Sequence, residues 1–465
     1  MAAPPGGKSK RWLWITLSAV LAVALVCTGS AFGLRSYVKG KNDTAAAVRY
    51  EENNPIKPEE VKDLMDERTR ALKDGDENAF LAAFDPANKK LVDQQRNLFR
   101  NLRKLPLAKA GFQQRALASR VVLRDVKPVG AGFTVDFTLS FVHQLDGYDR
   151  HPVDELYTWT IFRPERGAPL TVTAVKGHTG EKPEEMTYHP APWDKWSTIH
   201  VERTEHTLFI VDVALRAEAQ RYAPIAERAA AANLAAWQSA GVPGDVPKGF
   251  VISLVKGKKG LATLYRTTNK TPPESGFSFG VPQYDDIDRE DDDYVVGGSR
   301  VVIDVTDRSF FRAGDREGPA EIFRHELAHS LAHGLTKIGN DAILYQQEKW
   351  LVEGFAEYFG HERKSWTTSD RAASGRSRVR ATKLGNLLLP NNVGWDRDGR
   401  TSYHYWLGHS AVSYMVEKYG ERKAFEVVAE HYRGQSLEQV MPKVLGLKYF
   451  DFDRQWAAYV KSKVG

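Results

Sequence analysis

Cys27 is the only cysteine among 465 residues. No intrachain disulfide can form, so packed apolar cores must hold the fold, and any metal must be bound by His and carboxylate side chains. Material for such cores is plentiful. The chain is 42% hydrophobic, with eleven Trp and eighteen Tyr, which opposes extensive disorder. Its length exceeds what one ordinary core accommodates and suits two or three domains. The net charge of +6 is modest. Part of it comes from basic residues flanking the segment around Cys27, so no nucleic-acid partner is expected.

That segment, Trp12 to Leu34, contains no charged side chain. As a helix it would reach roughly 34 Å, enough to cross a hydrocarbon core of about 30 Å. The expectation is an uncleaved transmembrane anchor over 12–34, behind a cytoplasmic tail (1–11) and ahead of a polar linker (35–57). The body would then be held at the cell membrane on the extracytoplasmic side. Gly29-Ser30-Ala31 offers a small-x-small pattern and leaves a cleavable signal peptide as the alternative. Val26, rather than a small residue, precedes Cys27, which argues against lipid attachment there.

Beyond the linker, Pro58-Glu59-Glu60 opens a helix carrying Val61, Leu64, Met65, Arg68 and Leu72 at near-helical spacing. A second helical stretch covers Asn78 to Phe84. Strand-like runs follow at Ser119 to Val126, Gly132 to His143, Leu156 to Arg163 and Leu170 to Lys176. Helices followed by an antiparallel meander describe a small α+β domain over 58–190. With Lys73-Asp74-Gly75-Asp76 before an apolar helix, that order resembles the NTF2-like cone fold. Such domains bind small ligands or act as spacers, and without a convergent polar set the spacer role is expected. Further on, strands are expected at Thr207 to Val213, Gly249 to Val255 and Ser299 to Thr306, with an Ala-rich helix from Leu215 to Ala240. The acidic run Asp285 to Asp293 lacks the loop spacing of a calcium site and reads as a solvated loop. From Gly318 onward the pattern is almost wholly helical.

The chemistry concentrates at His325-Glu326-Leu327-Ala328-His329. Residues four apart share a helical face, so both imidazoles can reach one ion, while Glu326 stands beside it as a base for water. Gly318-Pro319 starts this helix and Gly334 can end it. His333 rises about 12 Å along the axis from His325, too far to join the same ion, and is expected at the surface or as a cap.

A second segment, Trp350-Leu351-Val352-Glu353-Gly354-Phe355-Ala356-Glu357-Tyr358, closely resembles the second zinc helix of gluzincin metallopeptidases, the bacterial peptidase MA-like proteins among them. The resemblance implies that Glu353 is the third ligand of a Zn2+ held with His325 and His329. Glu357 would orient a ligating His, as a neighbour once removed from the metal. Twenty-three residues separate His329 from Glu353, more than in familiar members, and the surplus falls in a stretch with Gly339-Asn340-Asp341. Tyr405, three residues before Gly408, fits the family's oxyanion-stabilising Tyr, with Tyr403 as its rival.

The expected fold class is therefore α+β. A transmembrane helix precedes the NTF2-like domain and then a gluzincin-like domain (195–465) with a small sheet and a mainly helical C-terminal half. The expected function is hydrolysis of a peptide or protein substrate. Zinc lowers the pKa of its water, Glu326 accepts the proton, and Tyr405 holds the oxyanion. Gly297-Gly298-Ser299-Arg300 and the following strand are expected to offer an edge for substrate backbone. No aminopeptidase-type Gly-x-Met-Glu-Asn segment occurs, which tilts the reading toward endopeptidase or small-peptide hydrolysis. The alternatives are a non-catalytic envelope binding module that keeps the fold, and a zinc hydrolase of non-peptide bonds.

Overall fold

A computed structural model of the chain describes residues 54–114, 126–177, 189–244, 246–265, 274–284, 294–338, 347–397 and 399–464. Helix α1 (Pro58–Asp74) has Pro at its first position and Glu59 and Glu60 in its first turn, where a missing N–H and negative charge both suit a helix start. It stops at Gly75, whose φ of +78° is the left-handed conformation that glycine tolerates. Asp76 and Asn88 cap α2 (Glu77–Leu81) and α3 (Lys89–Leu102) by accepting from backbone N–H groups. An antiparallel sheet follows, made of β1 (Leu107–Gln114), β2 (Lys127–Val129), β3 (Gly132–Leu145), β4 (Val153–Arg163) and β5 (Thr171–Gly177). Its order is β1-β3-β4-β5, with β2 also paired to β3. Along β4 every second residue from Val153 to Arg163 is buried, the alternation of a half-covered sheet. Between α1 and this sheet, the buried Arg68 guanidinium lies 3.6 to 5.5 Å from the ring centres of Phe80, Phe84, Phe112 and Trp159.

After α4 (Pro192–Lys195) come β6 (Ile199–Arg203), β7 (Thr207–Asp212), α5 (Arg216–Ala240), β8 (Phe250–Val255), α6 (Gly257–Thr263), β9 (Gly276–Pro282), β10 (Tyr294–Asp304), α7 (Glu317–His333) and β11 (Lys337–Ile338). They form a second sheet of order β11-β10-β8-β7-β6, with β9 on the other side of β10. The pairs β7–β8 and β8–β10 are parallel, and β9 runs antiparallel to β10. The rest is helical: α8 (Lys349–Gly360), α9 (Ala372–Ala381), α10 (Asn392–Arg397), α11 (Thr401–Tyr419), α12 (Glu421–Tyr432), α13 (Leu437–Leu445) and α14 (Tyr449–Val464).

The second sheet is buried on both faces at its centre, where β7 and β8 are almost continuously apolar. Phe209, Val211, Ile252, Leu254, Val301 and Ile303 pack into a cluster with α5, α7, α8, α11 and α12. The alternate residues Leu208, Ile210, Val251, Val255 and Val302 point the other way and share a cluster with Phe112, Phe141 and Trp159 of the first sheet. Residues 58–190 thus lend their core to the second sheet, which a detached spacer would not do. The β3–β4 turn strengthens the join. Arg150 and His151 donate their backbone N–H groups to the Gly297 carbonyl at 2.8 and 3.0 Å, and Arg150 also reaches the Gly334 carbonyl at the end of α7.

The α+β class holds, but two expectations are corrected. Neither a fold with a transmembrane helix nor a single-pass, extracytoplasmic location at the cell membrane is supported, because no described helix is long and apolar enough to cross a bilayer. The longest, α5, carries Arg216, Glu218, Arg221, Glu227 and Arg228. The 12–34 segment, with the tail and most of the linker, lies outside the described residues, as does the acidic run 285–293.

Candidate metal centre

Helices α7 and α8 pack against each other and bring the predicted ligands together. His325 Nε2 and His329 Nε2 are 3.2 Å apart, and Glu353 Oε2 lies 3.5 Å from the first and 3.3 Å from the second. A tetrahedral zinc with bonds of about 2.0–2.1 Å would set its ligand atoms roughly 3.3 Å apart, so the spacing fits such an ion. Glu353 Oε2 is buried and makes no hydrogen bond. On the far side of the ring, Glu357 Oε1 faces His325 Nδ1 at 3.3 Å, which orients the imidazole with Nε2 toward Glu353.

The electrostatics call for positive charge at this point. Burial alone would lower the pKa of His325, but Glu353, Glu357 and Glu326 outweigh it and push the value up to about 10. Burial likewise opposes ionisation of Glu353, yet the two imidazoles hold its carboxyl well below the usual range. A cation in place of the imidazolium proton would meet the same carboxylates.

Glu326 is buried beside this group, and its Oε2 has no hydrogen-bond partner. Burial pushes its pKa up, against the pull of His325 and His329. Its other oxygen faces β9, where a Cβ on Gly276 would lie only 3.0 Å away, so glycine there makes room for the carboxylate. Tyr405 enters from α11. Its ring centre is 6.0 Å from that of His325 and 5.2 Å from that of Trp395. Burial and the charges of Glu353, Glu357, Glu274 and Glu326 keep its hydroxyl protonated, hence a donor. Tyr403 turns away to stack on Trp406, under Arg378.

Gly297 to Arg300 do not form a sheet edge. They lie in β10, with Arg300 paired to Val251 of β8 on one side and to Phe279 of β9 on the other. The edge beside α7 is β9, a strand the sequence reading missed. The Ser278 and Ser330 hydroxyls join it to α7 at 2.9 Å, and His333 Nε2 lies 3.3 Å from the Ser278 carbonyl. His333 is therefore a clasp on that strand, with its ring against Tyr432, and not a surface residue. Burial lowers its pKa to about 4. In the stretch between the ligands, Lys337–Ile338 pair with β10, while 339–346 lie outside the described residues.

Three further residues near the site carried no signal in the motif. Arg371 from the turn before α9 pairs with Glu357 Oε2, His361 ends the α8 face that bears Glu357, and His409 follows Gly408 on α11. Helices α8 and α11 touch at two glycines. A Cβ on Gly354 would run into the Gly408 backbone, and one on Gly408 would lie 2.5 Å from the Trp350 carbonyl oxygen. The chain matches no protein-family model, and no curated protein matches it in sequence.

Proposed function

We propose that the protein is a zinc-dependent peptidase of the gluzincin type. The observation that carries this reading is the meeting of His325, His329 and Glu353 at ligand spacing beside a buried carboxylate, Glu326, with an uncommitted oxygen. A purely structural metal centre has no use for Glu326. Zinc, when bound by the three ligands, supplies Lewis acidity that polarises a carbonyl and eases deprotonation of water. Glu326 takes the proton from the attacking water and returns it to the departing amine. Its raised pKa brings it nearer neutrality, where a general base and acid works best. Tyr405, kept protonated, donates to the oxygen on which negative charge develops.

The strand β9 supports a peptide as substrate. The Ser275 carbonyl and the Gln283 N–H bond to β10, so in between, residues 276, 278 and 280 turn their backbone groups to the open side. His333 already occupies the Ser278 carbonyl. The remaining donors and acceptors suit an extended backbone laid across Glu326. The test is metal analysis of the purified chain, then digestion of a peptide library with and without chelator. Chelator-sensitive cleavage that Glu326→Gln abolishes is expected. Full zinc content without cleavage of any peptide would return the reading to a binding module or to non-peptide hydrolysis.

A further inference from the structure

A second set of ligand-type side chains stands behind the first, on the far side of Glu357. Glu357 lies on α8 and His361, four residues on, caps the end of that helix, so the two come to the same side. His409 comes to the same place from α11, just past the glycine contact. One ligand atom from each of the three lies within 4.8 Å of the others. The two imidazoles are within 5° of parallel, with centroids 5.2 Å apart. His361 Nε2 is 3.4 Å from Glu357 Oε2 and 3.8 Å from Glu321 Oε1.

The hydrogen bonding of this set is incomplete. His409 is fully buried, and the Lys364 backbone is the hydrogen-bond partner its ring reaches, so at least one ring nitrogen is left unmet. His361 Nε2 is buried and has only the 3.4 Å approach of Glu357. Buried polar atoms are normally satisfied, and exceptions call for an occupant. Burial pushes His409 down to about 3, against weaker pulls from Glu357 and the Lys364 backbone, so the ring is neutral and keeps a lone pair for a ligand. Burial works against ionisation of Glu357, but Arg371, His325 and His361 prevail and hold it as a carboxylate. Its Oε2 already accepts from Arg371, yet a carboxylate offers about four lone-pair positions, and one on that oxygen can still face His361. Burial raises Glu321 as well, leaving a carboxyl that a neighbouring cation would ionise.

We propose that Glu357, His361 and His409, completed by Glu321 or water, form a second divalent-metal site, joined to His325 through the two oxygens of Glu357. Two imidazoles and a carboxylate are a donor set suited to Zn2+. The ligands other than Glu357 are independent of the first centre, so the site does not require that the protein hydrolyse peptides. One competing set, Glu205, His206 and Glu227, lies nearer the surface. There Glu227 is already engaged by Thr204, the His206 N–H and the His206 ring.

The full chain, stripped by chelator and titrated with zinc chloride against a chromophoric competitor, is expected to take up two equivalents. His361→Ala and His409→Phe should each bind one, and His325→Ala should also bind one, at the other centre. His409 is in the core, so circular dichroism checks its variant, and the half-buried His361 gives the same test with less risk to folding. A wild-type stoichiometry of one that His361→Ala leaves unchanged overturns the second site. So does a stoichiometry of two that neither His361→Ala nor His409→Phe reduces, which would point to the surface set. A single equivalent lost in His361→Ala but kept in His325→Ala would uphold the second site and sink the first.

Discussion

Two groups of buried charges, both sheltered from water, are built in opposite ways. At the join between the sheets, Arg300 Nη1 and Nη2 donate to the two oxygens of Asp149 at 2.6 and 3.1 Å, the Leu145 N–H donates to Asp149 at 2.9 Å, and Arg300 also donates to the Ser299 carbonyl. That pair is closed, with each charge answered by a fixed neighbour. Between α7, α8 and α11, Glu326 Oε2 and Glu353 Oε2 are left without hydrogen bonds, His361 Nε2 has only the 3.4 Å approach of Glu357, and His409 reaches only the Lys364 backbone. Burying charge is costly in either case. The closed pair offsets the cost within the fold, whereas the open group defers it to something that arrives later. Burial by itself therefore does not mark a functional residue, but an unmet valence at a convergence of ligands does.

The largest test of this contrast removes the closed side altogether. A fragment of 191–464 should fail to fold, because Leu208, Ile210, Val251, Val255 and Val302 lose the cover of the first sheet. Insolubility and absence of zinc uptake are the expected result. A soluble, zinc-binding fragment would show that the join is dispensable. Within the open group, Glu326→Gln should lower peptide cleavage by about 10²–10⁴-fold while zinc content and melting temperature hold, since it removes a proton acceptor and also a buried charge. Cleavage at the parent rate would refute Glu326 as the base.

Breaking the closed pair should do the reverse. Asp149→Asn is expected to cost about 3–5 kcal/mol of stability by leaving Arg300 unanswered, with zinc stoichiometry unchanged in the protein that remains folded. Denaturant titration reads this directly, and adding Arg300→Met should restore much of the loss. A smaller effect separates two histidines. His431 is closed, accepting from the Glu348 N–H at 2.9 Å and donating to the Gln435 carbonyl at 2.9 Å, and burial lowers its pKa to about 4. The folded protein binds this proton less readily than the unfolded chain. Stability from this residue is thus full above about pH 6.5 and drains away as the pH falls toward about 4, by at most about 3 kcal/mol. His431→Gln should flatten that part of the melting-temperature profile. An unchanged slope would remove His431 from the account.

Much of the site was readable because its parts are local. The His pair four apart follows from helical period, whereas Glu353 and Glu357 came from the resemblance of 350–358 to a gluzincin zinc helix, and α7 and α8 present all four on facing sides. The helix starts at Pro58 and the strands β7, β8 and β10 were legible for the same reason. What escaped depends on contacts between distant segments. Asp149 and Arg300 are 151 positions apart. His361 and His409 meet only because α8 crosses α11. The strand β9 was hidden by its composition, since Gly276, Ser278, Gly280 and Pro282 are poor strand formers, although Phe277, Phe279 and Val281 alternate as a strand should. The double-sided burial of the second sheet was missed because a continuous apolar run does not say what covers each face.

The contact of Gly354 with Gly408 has a consequence for how such a chain can vary over time. Each residue is the wall against which the other rests, and nothing smaller than glycine exists to compensate a change in its partner. A lineage can lose this contact in one step but cannot work around it by a pair of exchanges, as it can with two facing leucines. Glu353 and Glu357 lie within a turn of one glycine, and Tyr405 and His409 within a turn of the other. The groups on which selection for chemistry would act are thereby tethered to the two positions with the least freedom to drift. Related chains are expected to keep both glycines together or to have abandoned the centre entirely, while the outer surface of α11 diverges freely around them.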